Sequence, residues 1–117
     1  MEYKIIDLTY LESISEDDNE FKKDMIETFL TNTPSYLAEM KACIKTKDWK
    51  RIGDIAHSIK PSFSLMGMNN NKDLLLNIEN SGRNLKNTRV IPDLIDQLET
   101  LIEKAALELR IELDDIN

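Results

Sequence analysis

The chain has 117 residues, 41% of them hydrophobic and 32% charged, with three glycines, three prolines and a net charge of −7. That is enough chain for one core, too apolar for a disordered segment, and too poor in turn formers for a sandwich of short strands. The acidic balance, with no basic stripe interleaved with aromatics, excludes DNA, RNA and anionic membranes as natural partners.

No apolar run approaches the roughly 20 residues that span a bilayer. "MEYKIIDLTYLES" also lacks a charged-then-apolar signal pattern, so the expected compartment is the cytoplasm. Cys43 is the only cysteine and His57 the only histidine. An internal disulfide and a zinc cluster of thiolates and imidazoles are therefore both excluded, and no metal site is expected. Between Met40 and Ile44, Cys43 reads as a small buried apolar residue.

Residues 3–14, "YKIIDLTYLESI", carry an apolar pattern too short to sustain a helix alone, and they are expected to pack across the end of a bundle. "SEDDNE" (15–20) offers Ser15 or Asp17 as an N-cap and puts acids at the positive end of the next helix. Phe21, Met25, Ile26, Phe29, Leu30, Leu37, Met40 and Ile44 then recur at helical spacing. Pro34 interrupts the row, but the apolar phase resumes beyond it, which favours one kinked helix over two. "TKDW" (46–49) ends that helix, and Asp48 is the expected cap of the next, over roughly 48–68 with a stop near Gly67.

After the turn "NNNKD" (69–73), a third main helix is expected to turn Leu74, Ile78 and Leu85 inward and to end near "NLKNT" (84–88). Pro92 opens the fourth, with Leu94, Ile95, Leu98, Leu101, Ile102, Ala105 and Leu109 as its inward row. The predicted class is all-α: an antiparallel four-helix bundle with a short extra N-terminal helix, residues 1–117 forming one domain.

On the second main helix Ile52, Ile55, Ala56, Ile59, Phe63 and Met66 fall within about 100° of one another, the core stripe of a bundle helix. His57 lies about 150° from the centre of that stripe and so faces solvent. Gly53, Lys60, Pro61 and Ser64 share its strip. These are small side chains that leave the ring approachable, plus one cation able to meet an anionic group attached to it. A free imidazole is substantially neutral near pH 7, so its ring nitrogen attacks an electrophile without a dedicated base. There is no Ser/His/Asp or Cys/His set and no Gly-rich phosphate loop, and the acidic pairs "EDD" and "LDD" sit where solvated caps belong. The chain thus lacks the parts of an enzyme with its own active site. An exposed nucleophile on a rigid helix suits a relay point between partners. The plainer alternative is a helical adaptor in which His57 is incidental.

The stretch "AHSIKPSFSLMGM" (56–68) resembles the signature of histidine-containing phosphotransfer domains, His-x-x-Lys-Gly followed about six residues later by a Leu-Gly pair. His57, Lys60 and Gly67 match; Met66 stands in place of the Leu and Pro61 in place of the first Gly. "DW…I…IAH" before the histidine and "LLLNIENSGRNL" (74–85) after it also have the family's spacing, so the resemblance covers nearly the whole chain. It implies a phosphorelay intermediate of two-component signalling. His57 would be phosphorylated on the ring nitrogen farther from the backbone, with Lys60 and Arg83 supplying positive charge to the phosphoryl group. Glu79 would orient the imidazole through its other nitrogen, and Gly53, Pro61 and Ser64 would line the docking surface.

The implied partners are response-regulator receiver domains and a sensor or hybrid histidine kinase. The implied state is a monomer with no cofactor of its own, magnesium being supplied by the receiver. Outside the resemblance, Glu79 and Arg83 read equally well as an (i, i+4) surface ion pair. Pro61 cannot donate to the His57 carbonyl and crowds it, so a bend is expected there. A scaffold that docks receivers without transferring phosphate keeps the same fold and stays open at this level. Leu65 is a further expected exposed apolar residue, available to a partner or to a dimer.

Overall fold

A computed structural model describes residues 3–116, and among them there is no strand. The helices are α1 (Thr9–Ser15), α2 (Asn19–Thr46), α3 (Trp49–Leu65), α4 (Lys72–Asn84) and α5 (Ile91–Ile116), with single 3-10 turns at Asn69–Asn71 and Thr88–Val90. The cap of α2 is Asp18, neither Ser15 nor Asp17: its side chain accepts from the Phe21 amide. Ser15 instead closes α1, its hydroxyl donating to the Leu11 carbonyl. Asp48 caps α3 by accepting from the Arg51 amide. Pro34 lies within an unbroken α2, as the resumed apolar phase requires.

Helix α3 ends three residues earlier than expected, in a Schellman turn. The Gly67 amide donates to the Ser64 carbonyl and the Met68 amide to the Phe63 carbonyl, with Gly67 left-handed at φ +69°. A side chain at Gly67 would also run into the Asp7 backbone, so this position requires glycine twice over.

α2 packs on α3, α3 on α4, α4 on α5 and α5 on α2, closing a ring of four. The pairs run antiparallel. Across α2 and α5, Lys22 meets Glu112 while Lys41 meets Glu99, so numbers rise on one helix as they fall on the other. Inside the ring lie Ile26, Phe29, Met40, Ile52, Ile55, Ile59, Phe63, Ile78, Ile95, Leu98 and Leu109, all buried. α2, with 28 residues, spans nearly the full 44 Å of the rod. α3 and α4 are shorter, and their outer surfaces together form one short face.

The N-terminal segment straps the bundle. Ile6, Leu8 and Leu11 are buried, and the Asp7 amide donates to the Met66 carbonyl where α3 ends. Further along, the Glu108 carboxylate of α5 accepts the amides of Lys4, Ile5 and Ile6 at 3.0–3.3 Å. The Tyr3 hydroxyl donates to Glu112.

Two apolar expectations fail. Leu85 does not point inward: it is the left-handed residue that stops α4, which swings its side chain out to 55% exposure. Leu65 is not an exposed apolar spot, because the last turn of α3 leans it on the core.

Candidate functional site

The site begins with how closely α3 and α4 approach. A Cβ placed on Gly82 would lie 2.9 Å from the Gly53 nitrogen and closer still to the Trp49 carbonyl oxygen. One placed on Gly53 would lie 2.9 Å from the Glu79 carbonyl oxygen. Ordinary contacts start near 3.4 Å, so only this Gly–Gly crossing allows the two backbones to come so near. Gly53 is consequently buried in the helix contact and is not part of a docking surface. The helical-wheel position was right in angle, but α4 covers that angle at the first turns of α3.

One turn further, His57 is free of this cover, with its side chain 55% exposed. α4 presents Glu79 to it from below. Although charged, Glu79 is only 6% exposed, and every buried polar side-chain atom among the described residues has a partner. Its Oε2 lies 3.0 Å from His57 Nδ1, and its Oε1 accepts from Lys60 Nζ at 2.8 Å. Arg83 Nη1 donates to Oε2 at 2.7 Å. The Lys60 hydrogen bond, aided by the nearby charges and by the His57 contact, outweighs burial and holds the Glu79 carboxyl below its ordinary range. Glu79 is therefore ionised at neutral pH and acts as an acceptor. An acceptor facing Nδ1 puts the ring proton on Nδ1 and leaves the lone pair on Nε2, the outer nitrogen.

The structure brings His57, Lys60, Glu79 and Arg83 into one cluster. Glu79 and Arg83 form an (i, i+4) pair, though not a surface one because Glu79 is buried, and the same carboxylate also meets the imidazole. Asp54, which the sequence reading passed over, accepts from Arg83 Nε at 2.9 Å. Its signal was available: it stands one turn before His57 on the same helix, at a spacing where side chains are neighbours. Lys60 uses one of its three donors on Glu79 and remains 31% exposed, with two left for an incoming anion.

Pro61 and Ser64 border a shallow hollow next to the site, completed by Lys72, Asp73 and the exposed Leu76 of α4. The expected bend at His57 does not break the helix: α3 is continuous through Pro61. Pro61 still leaves the His57 carbonyl without its helical donor. A larger hollow, lined by Leu37, Ala38, Ile102 and Ala106, lies between α2 and α5 and contains none of these groups. Among the described residues no group of three or more His, Cys, Asp or Glu is placed to hold a metal ion, and no helix is long and apolar enough to cross a membrane.

With this geometry in hand, the chain compares with known proteins as follows. The Hpt domain family model matches residues 24–113. A segment of 72 residues is 24% identical to multistep phosphorelay regulator 1 of Schizosaccharomyces pombe, covering 62% of this chain. The chain spans about a quarter of that relative's length. The fold is similar to the crystal structure of histidine-containing phosphotransfer protein B from Pseudomonas aeruginosa PAO1, with a TM-score of 0.84 at 22% identity over 97% of this chain and 98% of that one. The family match takes in α3 and α4 entire, and with them the exposed imidazole on its buried carboxylate: the chain belongs to the Hpt domain family.

Proposed function

We propose that the protein is a phosphorelay intermediate of two-component signalling in which His57 accepts a phosphoryl group from a receiver-domain aspartyl phosphate, or from a kinase, and passes it to another receiver. The observation that carries this is the contact between Glu79 Oε2 and His57 Nδ1 beneath an otherwise open ring. In the forward step the Nε2 lone pair forms the N–P bond while the P–O bond of the acyl phosphate breaks, its electrons leaving with the aspartate carboxylate. The Nδ1 proton stays on the ring, and the Glu79 charge balances the cation that forms. Lys60 reaches the phosphoryl oxygens with its two remaining donors. Such transfers depend mainly on positioning and charge neutralisation, which is all this chain provides.

The magnesium ion of the reaction is assigned to the receiver, and the chain has no complete active site of its own. Pro61 and Ser64, with the neighbouring hollow, form the docking surface in this reading, and Arg83 adds positive charge beside it. The chain works as a monomer in the cytoplasm, with receiver domains and a sensor or hybrid histidine kinase as partners. The test is transfer of labelled phosphate from a phosphorylated receiver. Wild type should gain acid-labile phosphate mapped to His57, and His57→Gln should gain none. Equal labelling of the two would refute the assignment, while binding of the receiver with no label on either would make the chain a scaffold.

A further inference from the structure

Resting on the phosphotransfer reading of His57, we propose that Asp54 and Arg83 are a positioning pair that acts on the imidazole through Glu79, so that the arginine's main service is to the acceptor carboxylate and not to the phosphoryl group. The guanidinium bridges two carboxylates, Nε to Asp54 Oδ1 at 2.9 Å and Nη1 to Glu79 Oε2 at 2.7 Å. The Glu79 oxygen it holds is the one that faces His57 Nδ1. The other oxygen is held by Lys60. The terminal torsion of a glutamate is broad, so one anchor leaves the carboxylate free to turn and two fix its plane. Arg83 is the second anchor.

What holds Arg83 there is visible on α3. Its stem lies across Gly53, where a Cβ would stand 3.0 Å from Arg83 Cγ, so the missing side chain lets the arginine lie flat. Asp54 then fastens the guanidinium at the turn before His57, while Lys60 stands at the turn after it. The two cations thus flank the ring from opposite directions along the helix. Asp54 and Glu79 balance Lys60 and Arg83, which leaves four charges that sum to zero under the ring. The planar fork of arginine joins the two carboxylates in one fixed geometry, whereas a lysine ammonium bridges carboxylates only as a rotatable point charge. Asp54 and Arg83 are 55% and 41% exposed, so their pair contributes little to stability and its loss leaves the fold intact.

The test uses the full chain with ring-15N histidine, whose nitrogen shifts report which nitrogen carries the proton, together with phosphoramidate as a small phosphodonor. In wild type the Nδ1–H tautomer should dominate. Arg83→Met should shift the ring toward the tautomer mixture of free imidazole and slow labelling of His57 by about fivefold, with no change in the lifetime of the phosphorylated form. Arg83→Lys should recover only part of this. Asp54→Asn should slow labelling by about twofold and have no further effect in the Arg83→Met background, since its only route is then gone. Two results overturn the proposal. One is an Asp54→Asn cost that is equal in both backgrounds. The other is Arg83→Met with a wild-type tautomer ratio and a shortened phosphohistidine lifetime, which puts the arginine on the phosphoryl group. If wild-type His57 takes no label from either donor, the phosphotransfer reading fails, and the tautomer ratios alone still decide whether the positioning pair exists.

Discussion

Replacing Gly82 with alanine tests the link between helix approach and chemistry. The new methyl group would stand 2.9 Å from the Gly53 nitrogen, 3.1 Å from its Cα and nearer still to the Trp49 carbonyl oxygen. All three neighbours are backbone atoms, so no side chain can rotate away. Restoring ordinary contact needs α3 and α4 to part by about 1 Å, in an interior that resists such shifts. Overpacking of this kind costs about 1–3 kcal/mol, and more where the obstacle is backbone. Alanine returns about 1 kcal/mol through its better helix propensity. The net expectation is a loss of about 2 kcal/mol, or about 8 °C in Tm for a chain of this size. Function should suffer further, because the parting carries Glu79 away from His57. Thermal unfolding by circular dichroism measures the first effect, and the His57 labelling rate in folded protein at low temperature measures the second. A Gly82→Ala protein as stable as wild type, with unchanged labelling, would show that the close Gly–Gly approach does not set the site.

Two more changes probe the strap and the helix that bears the site. Glu108→Ala leaves the amides of Lys4, Ile5 and Ile6 without their acceptor, so stability should fall by about 2 kcal/mol. Hydrogen exchange at Ile5 and Ile6 should quicken while α3 keeps its protection; unchanged exchange there would contradict the strap. Pro61→Ala restores a donor to the His57 carbonyl and removes the crowding ring, and should raise stability by about 2 kcal/mol in urea unfolding. A loss of stability would mean that the rigidity of proline matters more than the missing hydrogen bond.

Much of the fold was legible because it is written in local spacing. The apolar rows of α2, α3 and α5 repeat at helical period, Asp48 sits where a cap belongs, and the phase across Pro34 continues, so each helix could be read from its own residues. The errors fell at helix ends. Leu85 looked like the next residue of an apolar row, yet a left-handed stop turns its side chain outward, and Asp18 rather than Asp17 took the cap. A one-residue difference in where a helix begins or ends leaves periodicity almost unchanged while it redirects the side chain.

The site divides in the same way. His57, Lys60, Pro61 and Ser64 belong to one helix, so their common strip followed from the 3.6-residue turn alone. Gly53 lay on that strip too, but whether α4 covers it depends on how near two separate helices come. That distance is decided by Gly53 and Gly82 meeting across 29 residues of chain. The same approach drives Glu79 out of solvent and against the imidazole, and so brings Arg83 to Asp54. Sequence alone determined the helices and which way the histidine faces, because both depend on neighbours within a turn. The carboxylate behind the histidine was legible only through the family resemblance, and tertiary structure decided that it is buried there, because that contact exists only where two backbones without side chains touch.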